Sequence, residues 1–422
     1  MGLVLRFLKW LGIALGLLVV GAFLFALFRF GPAAMTLAWA KIEPNGPEAR
    51  PAITRPFDPD AARAALEREV YGAWPLFSDV RVTNVRRDTY LDAERIHVEL
   101  ETVAEGVTLA YGVSLLRRSP TDPLIVWSSF SPRGAAIPGA PGGRMDGFAA
   151  SLVEFVFGRF IQTPPLEAIL DAGYGFAVLH PPEALPDSSR AVDRVRSMGA
   201  DTGAIIGWAW MAARALDALE GTGEAQGPVI AGGHSRYGKS ALVWAAWDER
   251  VDAVIAHQSG TGGASLSRAK RGETVAQMVE SYPHWFSPGY SEDALTLDQH
   301  YLLALVAPRP ILLGGAYRDV WSDPNGALRA AIGAAPVYEA LTGRAPLAAE
   351  RLDVFEPSAD IAMWTRPGTH GIVEEDWPVF LDFLDAHFRR TDREGGDDQP
   401  LRPTGEAVER PARREDESAL GD

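Results

Sequence analysis

The 422-residue chain contains no cysteine. That excludes disulfides, thiolate metal sites and a cysteine nucleophile, and it leaves the redox compartment open. Positive charge is scarce: 40 Lys and Arg against 55 Asp and Glu leave a formal net charge of −15. Such a balance argues against nucleic acid as a partner, and it means that any carboxylated ligand needs local positive charge. No H-x-x-H, H-E-x-x-H or clustered carboxylate pattern occurs, so no metal is expected. No glycine-rich loop has the Walker or dinucleotide form, so no cofactor is expected either; Gly260-Thr261-Gly262-Gly263 reads as a loop after a strand. No internal repeat is visible. The chain does have 47% hydrophobic residues and 42 glycines, the balance of a turn-rich globular α/β enzyme.

One stretch organises the rest, Gly227 to Arg250. Val229-Ile230-Ala231 is a short apolar run of the kind that makes a buried parallel strand. Gly232, Gly233, His234, Ser235, Arg236, Tyr237 and Gly238 follow, and Lys239 to Trp247 has helical spacing. A strand, a turn of small residues holding one serine, and a helix make a nucleophile elbow. The reason is steric, because a serine exposed on a sharp turn tolerates only small neighbours. The helix behind it starts with free N–H groups that favour a developing oxyanion. The spacing here is G-x-S-x-x-G, with Arg236 directly after the serine, and an ordinary glycine-rich strand–helix turn is the bland alternative.

Trp10 to Phe28 is an uncharged apolar run of 19 residues, ~28 Å long as a helix, about one hydrocarbon core. An uncleaved signal anchor is favoured over a cleaved signal peptide, whose apolar region is shorter; Ala38-Trp39-Ala40 lies ten residues past the run. Arg6 and Lys9 before the run place the body on the extracytoplasmic side of a membrane. The expected organisation is an anchor over 1–30, a proline-rich linker over 31–56, a catalytic domain over 57–390, and a disordered charged tail over 391–422.

Within the domain, Asp58–Val70 reads as a helix. Val80–Val85, Arg95–Thr102 and Val107–Leu116 read as strands of an antiparallel edge, and Leu124–Phe130 as a further strand. Ser131–Gly147 is a long Gly/Pro loop of the kind that lines sites. A helix from Pro165 to Leu170, a strand over Tyr174–Leu179 and a strong helix over Thr202–Glu220 follow. After the elbow come strands at Val251–His257, Pro310–Gly315 and Ile361–Arg366, a helical stretch near 327–341, and a last helix over Phe380–Phe388. This alternation specifies a doubly wound, mostly parallel sheet in a three-layer αβα sandwich.

A serine nucleophile needs a base, and there are eight histidines. His97 and His387 read as structural or surface residues, His180 ends a strand, and His234 points off the elbow as packing or pocket wall. His257 lies on a strand; His284 and His300 lie around the Trp285 segment. His370 differs, because it sits in the turn after the final strand, Arg366-Pro367-Gly368-Thr369-His370-Gly371. It is also last in the order serine, acid, histidine that α/β-hydrolases use. The loop after strand 310–315 holds Asp319 and Asp323; Asp323, before a proline, reads as a turn or helix-cap residue.

The segment Gly233–Ala241, GHSRYGKSA, resembles the G-[CH]-S-R-x-G-K-x-A signature of glucuronoyl esterases, family 15 of the carbohydrate esterases. The likeness continues through DERVDAVIAHQSGTGGASLSR, PHWFSPGY, LDQHYLLALVAPRP, DVWSDPNG and RPGTH, roughly residues 60–390. The resemblance implies an α/β-hydrolase fold and a serine, Ser235, that attacks an ester of glucuronic acid in a polysaccharide, with Arg236 helping to hold the oxyanion. It implies sugar contacts by Lys239 and Trp321, and by Glu273 and Glu280 near the family's other polar contacts. One departure matters: many members carry the triad's glutamate where this chain has Gln258, in His257-Gln258-Ser259-Gly260. A glutamine cannot stabilise an imidazolium, so Asp319 is the expected acid. Two other readings stand beside the uronate esterase: an acetyl-polysaccharide or other carboxylesterase, and a non-catalytic carbohydrate-binding envelope protein.

Overall fold

The computed structural model describes residues 6–22, 52–53, 56–141, 161–268 and 271–389. The tail 391–422 and most of the expected linker lie outside the described residues, as do residues 23–28 of the apolar run. Residues 6–22 are helical and exposed throughout. Among the described residues, no helix is long and apolar enough to cross a membrane.

Among the described residues, nine strands make one sheet in the order β1-β2-β3-β5-β4-β6-β7-β8-β9. Strands β1 (Phe77–Tyr90), β2 (Ala93–Ala104) and β3 (Val107–Arg117) form an antiparallel meander. Its two hairpin turns, Leu91-Asp92 and Glu105-Gly106, all have positive φ, which matches the right-handed twist of the strands they join. These strands outrun the apolar alternation because backbone pairing continues to the turns. The remaining strands are β4 (Leu124–Ser128), β5 (Gly175–Leu179), β6 (Val229–His234), β7 (Val251–His257), β8 (Ile311–Ala316) and β9 (Ile361–Arg366). They pair in parallel, with β5 turned antiparallel to β3. Every residue of β4, β5 and β6 is buried, which is why these strands read as unbroken apolar runs.

Helices cover both faces. Helices α1 (Ala204–Gly221), α2 (Arg236–Trp247) and α3 (Pro324–Thr342) share one core with Val254 and Ala256 of β7. Helix α4 (Asp376–Phe388) and the short helix Leu166–Asp171 share the other with Ala253 and Ile255. Consecutive residues of a strand thus feed opposite layers, giving the expected α/β sandwich.

Other elements differ from the sequence reading as well, among them the last helix, which starts at Asp376 rather than Phe380. The helix after the elbow starts at Arg236 rather than Lys239, because Gly233 and Gly238 let the turn close on itself; a Cβ on Gly233 would stand 2.4 Å from the Tyr237 carbonyl. The helix near 327–341 starts at Pro324, with Asp323 Oδ1 accepting from the Gly326 N–H at 3.0 Å. The loop from Ser131 carries a short helix, Arg133–Ala136, and its residues 142–147 lie outside the described ones.

Two buried histidines make the fold sensitive to acid. Burial pushes the imidazoles of His97 and His300 down to about 4; Arg86 and Arg95 add to this at His97, and Arg268 at His300. From pH ~6.5, where the unfolded imidazole begins to charge, down to about 4, the unfolded chain binds protons that the native chain refuses. Stability therefore falls as pH falls through that window. Denaturant unfolding at pH 7 and pH 5 should show a lower midpoint at pH 5, with a smaller difference in a His97→Gln/His300→Gln variant. An unchanged difference in that variant would sink the assignment.

Candidate active site

Strand β6 delivers Ser235 to its C-terminal end with φ 57° and ψ −123°. A non-glycine residue there carries ~1–3 kcal/mol of strain and persists only where its surroundings over-determine it. Here the Ser235 N–H donates to the His257 carbonyl at 2.8 Å, and the Ser235 carbonyl accepts from the Lys239 N–H at 3.1 Å. Ser235 is half-buried while His234 and Tyr237 beside it are buried, so the turn presents the serine outward.

His370 arrives on the turn after β9. Its Nδ1 lies 2.8 Å from Asp319 Oδ2, in the loop after β8. Ser322 joins the pair from below, its N–H donating to Asp319 Oδ1 at 3.3 Å and its Oγ lying 3.2 Å from His370 Nδ1. Burial pushes the Asp319 carboxyl up, but the facing imidazole and the two Ser322 bonds outweigh it and hold the group below its usual range. An ionised Asp319 accepts the Nδ1 proton and leaves Nε2 with the free lone pair, the tautomer a general base needs. The His370 ring lies 4.6 Å from the ring of His234, the residue before Ser235. Ser235 and the His370–Asp319 pair thus stand at the C-terminal ends of β6, β9 and β8. Asp323 stays apart as the cap of α3, near Arg329 at 3.4 Å.

Arg236 lies on an aromatic floor. Its guanidinium is 4.6 Å from the Trp285 ring, 5.3 Å from Tyr282 and 5.4 Å from Phe130. Tyr282 and Trp285 are themselves stacked at 3.8 Å. Asp187 pairs with the guanidinium and also accepts from His284 Nε2 and Trp285 Nε1, each at 2.8 Å. Burial pushes the Asp187 carboxyl up, but His284, Arg236 and Trp285 together pull it down to about 2. The carboxylate therefore stays charged and fixes the guanidinium in place.

Lys239, one turn on, is buried. Its ammonium donates to the carbonyls of Thr261, at 2.7 Å, and Ser259, and lies 5.9 Å from the Trp285 ring. Trp321 is 38% exposed on the 3₁₀ turn Val320–Ser322, so it does not serve as a core cover. Glu273 is buried against the same wall: its N–H donates to the Trp321 carbonyl at 3.0 Å, and its own carbonyl accepts from Thr261 Oγ1 at 2.7 Å. Glu280 is exposed at the end of helix Val275–Ser281, outside this set of contacts.

The sequence profile described as "Glucuronyl esterase, fungi" matches residues 195–342. A carbohydrate esterase from an unknown prokaryotic organism is 36% identical over 242 residues, covering 53% of this chain and 55% of that protein. A 4-O-methyl-glucuronoyl methylesterase of Schizophyllum commune is 35% identical, covering 33% and 39%. The matched chain thus spans about half the length, or less, of these curated relatives. The solved structure of a promiscuous family 15 esterase from a marine bacterial metagenome superposes with a TM-score of 0.69 at 26% identity, covering 82% of this chain and 98% of that one. The glucuronoyl esterase from Solibacter usitatus gives 0.64 at 27%, covering 78% and 91%. The chain is thus similar to family 15 of the carbohydrate esterases.

Two parts of this candidate site escape a reading of the sequence. Asp187, in Leu185-Pro186-Asp187-Ser188, looks like any turn aspartate; only the fold carries it to Arg236. Asp376 and Arg366 form a buried pair at 3.0 Å behind the His370 turn, with His257 Nε2 3.3 Å from Asp376. A histidine and an arginine at the C-terminal ends of β7 and β9, the two strands that flank β8, were the available signal.

Proposed function

We propose that the protein is a serine esterase that cleaves esters of glucuronic or 4-O-methyl-glucuronic acid in polysaccharide. The observation that carries this reading is the strained Ser235 elbow beside a His370–Asp319 pair, in a chain whose relatives include glucuronoyl esterases. Ser235 Oγ attacks the ester carbonyl while His370 Nε2 takes its proton. Arg236, with backbone N–H groups at the start of α2, holds the oxyanion. Collapse of the tetrahedral adduct expels the alcohol, which takes the proton from His370. Water, deprotonated by the same nitrogen, then attacks the acyl-enzyme and releases the uronic acid and Ser235. Lys239, Trp321 and Glu273 are the residues we assign to the sugar; Glu280, which stands outside their contacts, is not.

Turnover of benzyl glucuronate against p-nitrophenyl acetate tests the substrate class. Benzyl glucuronate should be the better substrate by kcat/KM. The promiscuity stated for the marine relative favours a second reading, a broader carboxylesterase; preference for the acetate would support that one, and silence on both would support a binding protein.

We also propose that the apolar run Trp10–Phe28 anchors the enzyme in a membrane with its domain on the extracytoplasmic side. The support is the run's length and the exposure of its described part. The full chain should sediment with membranes, and the chain from Lys41 onward should be soluble with activity kept. A soluble full-length product whose N-terminus has moved to about Lys41 would instead show a cleaved signal.

A further inference from the structure

Gln258 stands where many family members carry an acid, and its side chain is turned to a different task. Its backbone is held in the left-handed region, φ 50°, by a hydrogen bond from its N–H to the Gly314 carbonyl at 2.8 Å. Its own carbonyl accepts from Ser322 Oγ at 3.4 Å, the hydroxyl that also meets His370. From that fixed base the buried amide reaches both sides of the histidine. Its Oε1 accepts from the Gly371 N–H at 2.7 Å, and its Nε2 donates to the Thr369 carbonyl at 3.4 Å. The donor on Gly371 fixes which end of the amide is oxygen.

The rest of the turn is tied to Arg366, whose guanidinium donates to the carbonyls of Thr369 and Gly371, each at 3.1 Å. His257 Nε2 also faces the Gly371 carbonyl at 3.0 Å. Those groups occupy carbonyls. Among these contacts, Gln258 alone takes up the Gly371 N–H, and it does so from the β7 side, next to the elbow. The two residues flanking His370 are thereby bonded to the residue that follows His257, whose carbonyl receives the Ser235 N–H.

We propose that Gln258 is a positioning residue: by clamping Thr369 and Gly371 it sets the distance of the His370 imidazole from Ser235, a task that needs one donor and one acceptor and therefore an uncharged amide. This rests on the reading of His370 as the base. A glutamate at 258 keeps the acceptor for Gly371 but sets a carboxylate oxygen against the Thr369 carbonyl, and it adds a negative charge beside a turn already containing Asp319. The groups facing His370 are then Asp319 and Ser322 on the β8 loop, His234 on the elbow, Arg366 with Asp376 and His257 behind, and the new carboxylate.

Two variants test this on the full-length enzyme with benzyl glucuronate. Gln258→Met keeps length and apolar volume and removes both bonds. Its kcat should fall about 10- to 100-fold, the scale of a small misplacement of a reacting group, with KM within about twofold. Gln258→Glu should also lose kcat, and the acid limb of its kcat–pH profile should move to higher pH, since the added charge stabilises the imidazolium. Damage to folding alone lowers the melting temperature and the active fraction but leaves the profile in place, so the Glu variant decides the matter if the Met variant does not fold. A kcat within twofold of wild type in either folded variant, or an unshifted acid limb in Gln258→Glu, overturns the proposal. Ser235→Ala and His370→Ala separate it from the reading beneath: if either retains wild-type turnover, the triad itself is wrong.

Discussion

Asp319→Asn should lower kcat by about 10⁴-fold, the loss seen when a serine protease triad keeps its shape but loses its acid. The asparagine has nearly the same volume, so the 3₁₀ turn Val320–Ser322 should survive, and its carbonyl can still accept from Ser322. What disappears is the negative charge facing His370 Nδ1 at 2.8 Å. The imidazole then has no partner for its protonated form, and the amide N–H₂ favours the tautomer with the proton on Nε2, where the base must be bare. The matched control is Asp323→Asn, four residues on in the same loop. That side chain caps α3 and touches Arg329; an asparagine caps a helix as well as an aspartate, so the replacement removes only the charge facing Arg329 and should leave kcat within a few-fold. Reversal of the two outcomes, measured on purified folded protein, would remove Asp319 from the triad.

Arg236→Ala should cost ~10²–10³-fold in kcat, the usual loss of one oxyanion donor, with a smaller change in KM. The guanidinium stands one residue from the nucleophile and is held by Asp187 and the Trp285 ring, so it meets the developing charge with little reorganisation. Arg236→Lys should not rescue the loss. A point-charge ammonium cannot pair with Asp187 while lying flat on an indole and still aim a second N–H at the substrate. Asp187 keeps its bonds from His284 and Trp285 in both variants, so melting temperatures should move far less than rates. Wild-type kcat in Arg236→Lys would mean that charge alone, without the fork geometry, serves the oxyanion.

Those two residues mark how far the sequence could be read. The parallel strands were legible because burial on both faces leaves continuous apolar runs; β7 and β9 begin and end at the residues the pattern predicts. Ser235, His370 and Asp319 were legible because chain order and turn position narrow the choice of base and acid. The meander strands were underestimated because backbone pairing, not side-chain alternation, carries them to their hairpins. Asp187 was invisible: it lies 49 residues before its partner Arg236 and has a local context that suits any turn. The role of Gln258 was read only as an absence of charge, since its two hydrogen bonds go to backbone atoms more than 100 residues away.

The turn that carries Trp321 constrains how such an enzyme can diversify. Asp319 lies two residues before the exposed tryptophan and Asp323 two residues after it, and both are pinned, one to His370 and the other to the start of α3. A tryptophan held between two such anchors cannot be shifted by inserting or deleting a residue without dragging the acid off the histidine. Natural or laboratory drift in substrate size is therefore channelled to segments other than this turn. Libraries that randomise the length of residues 319–323 should yield almost no active enzymes.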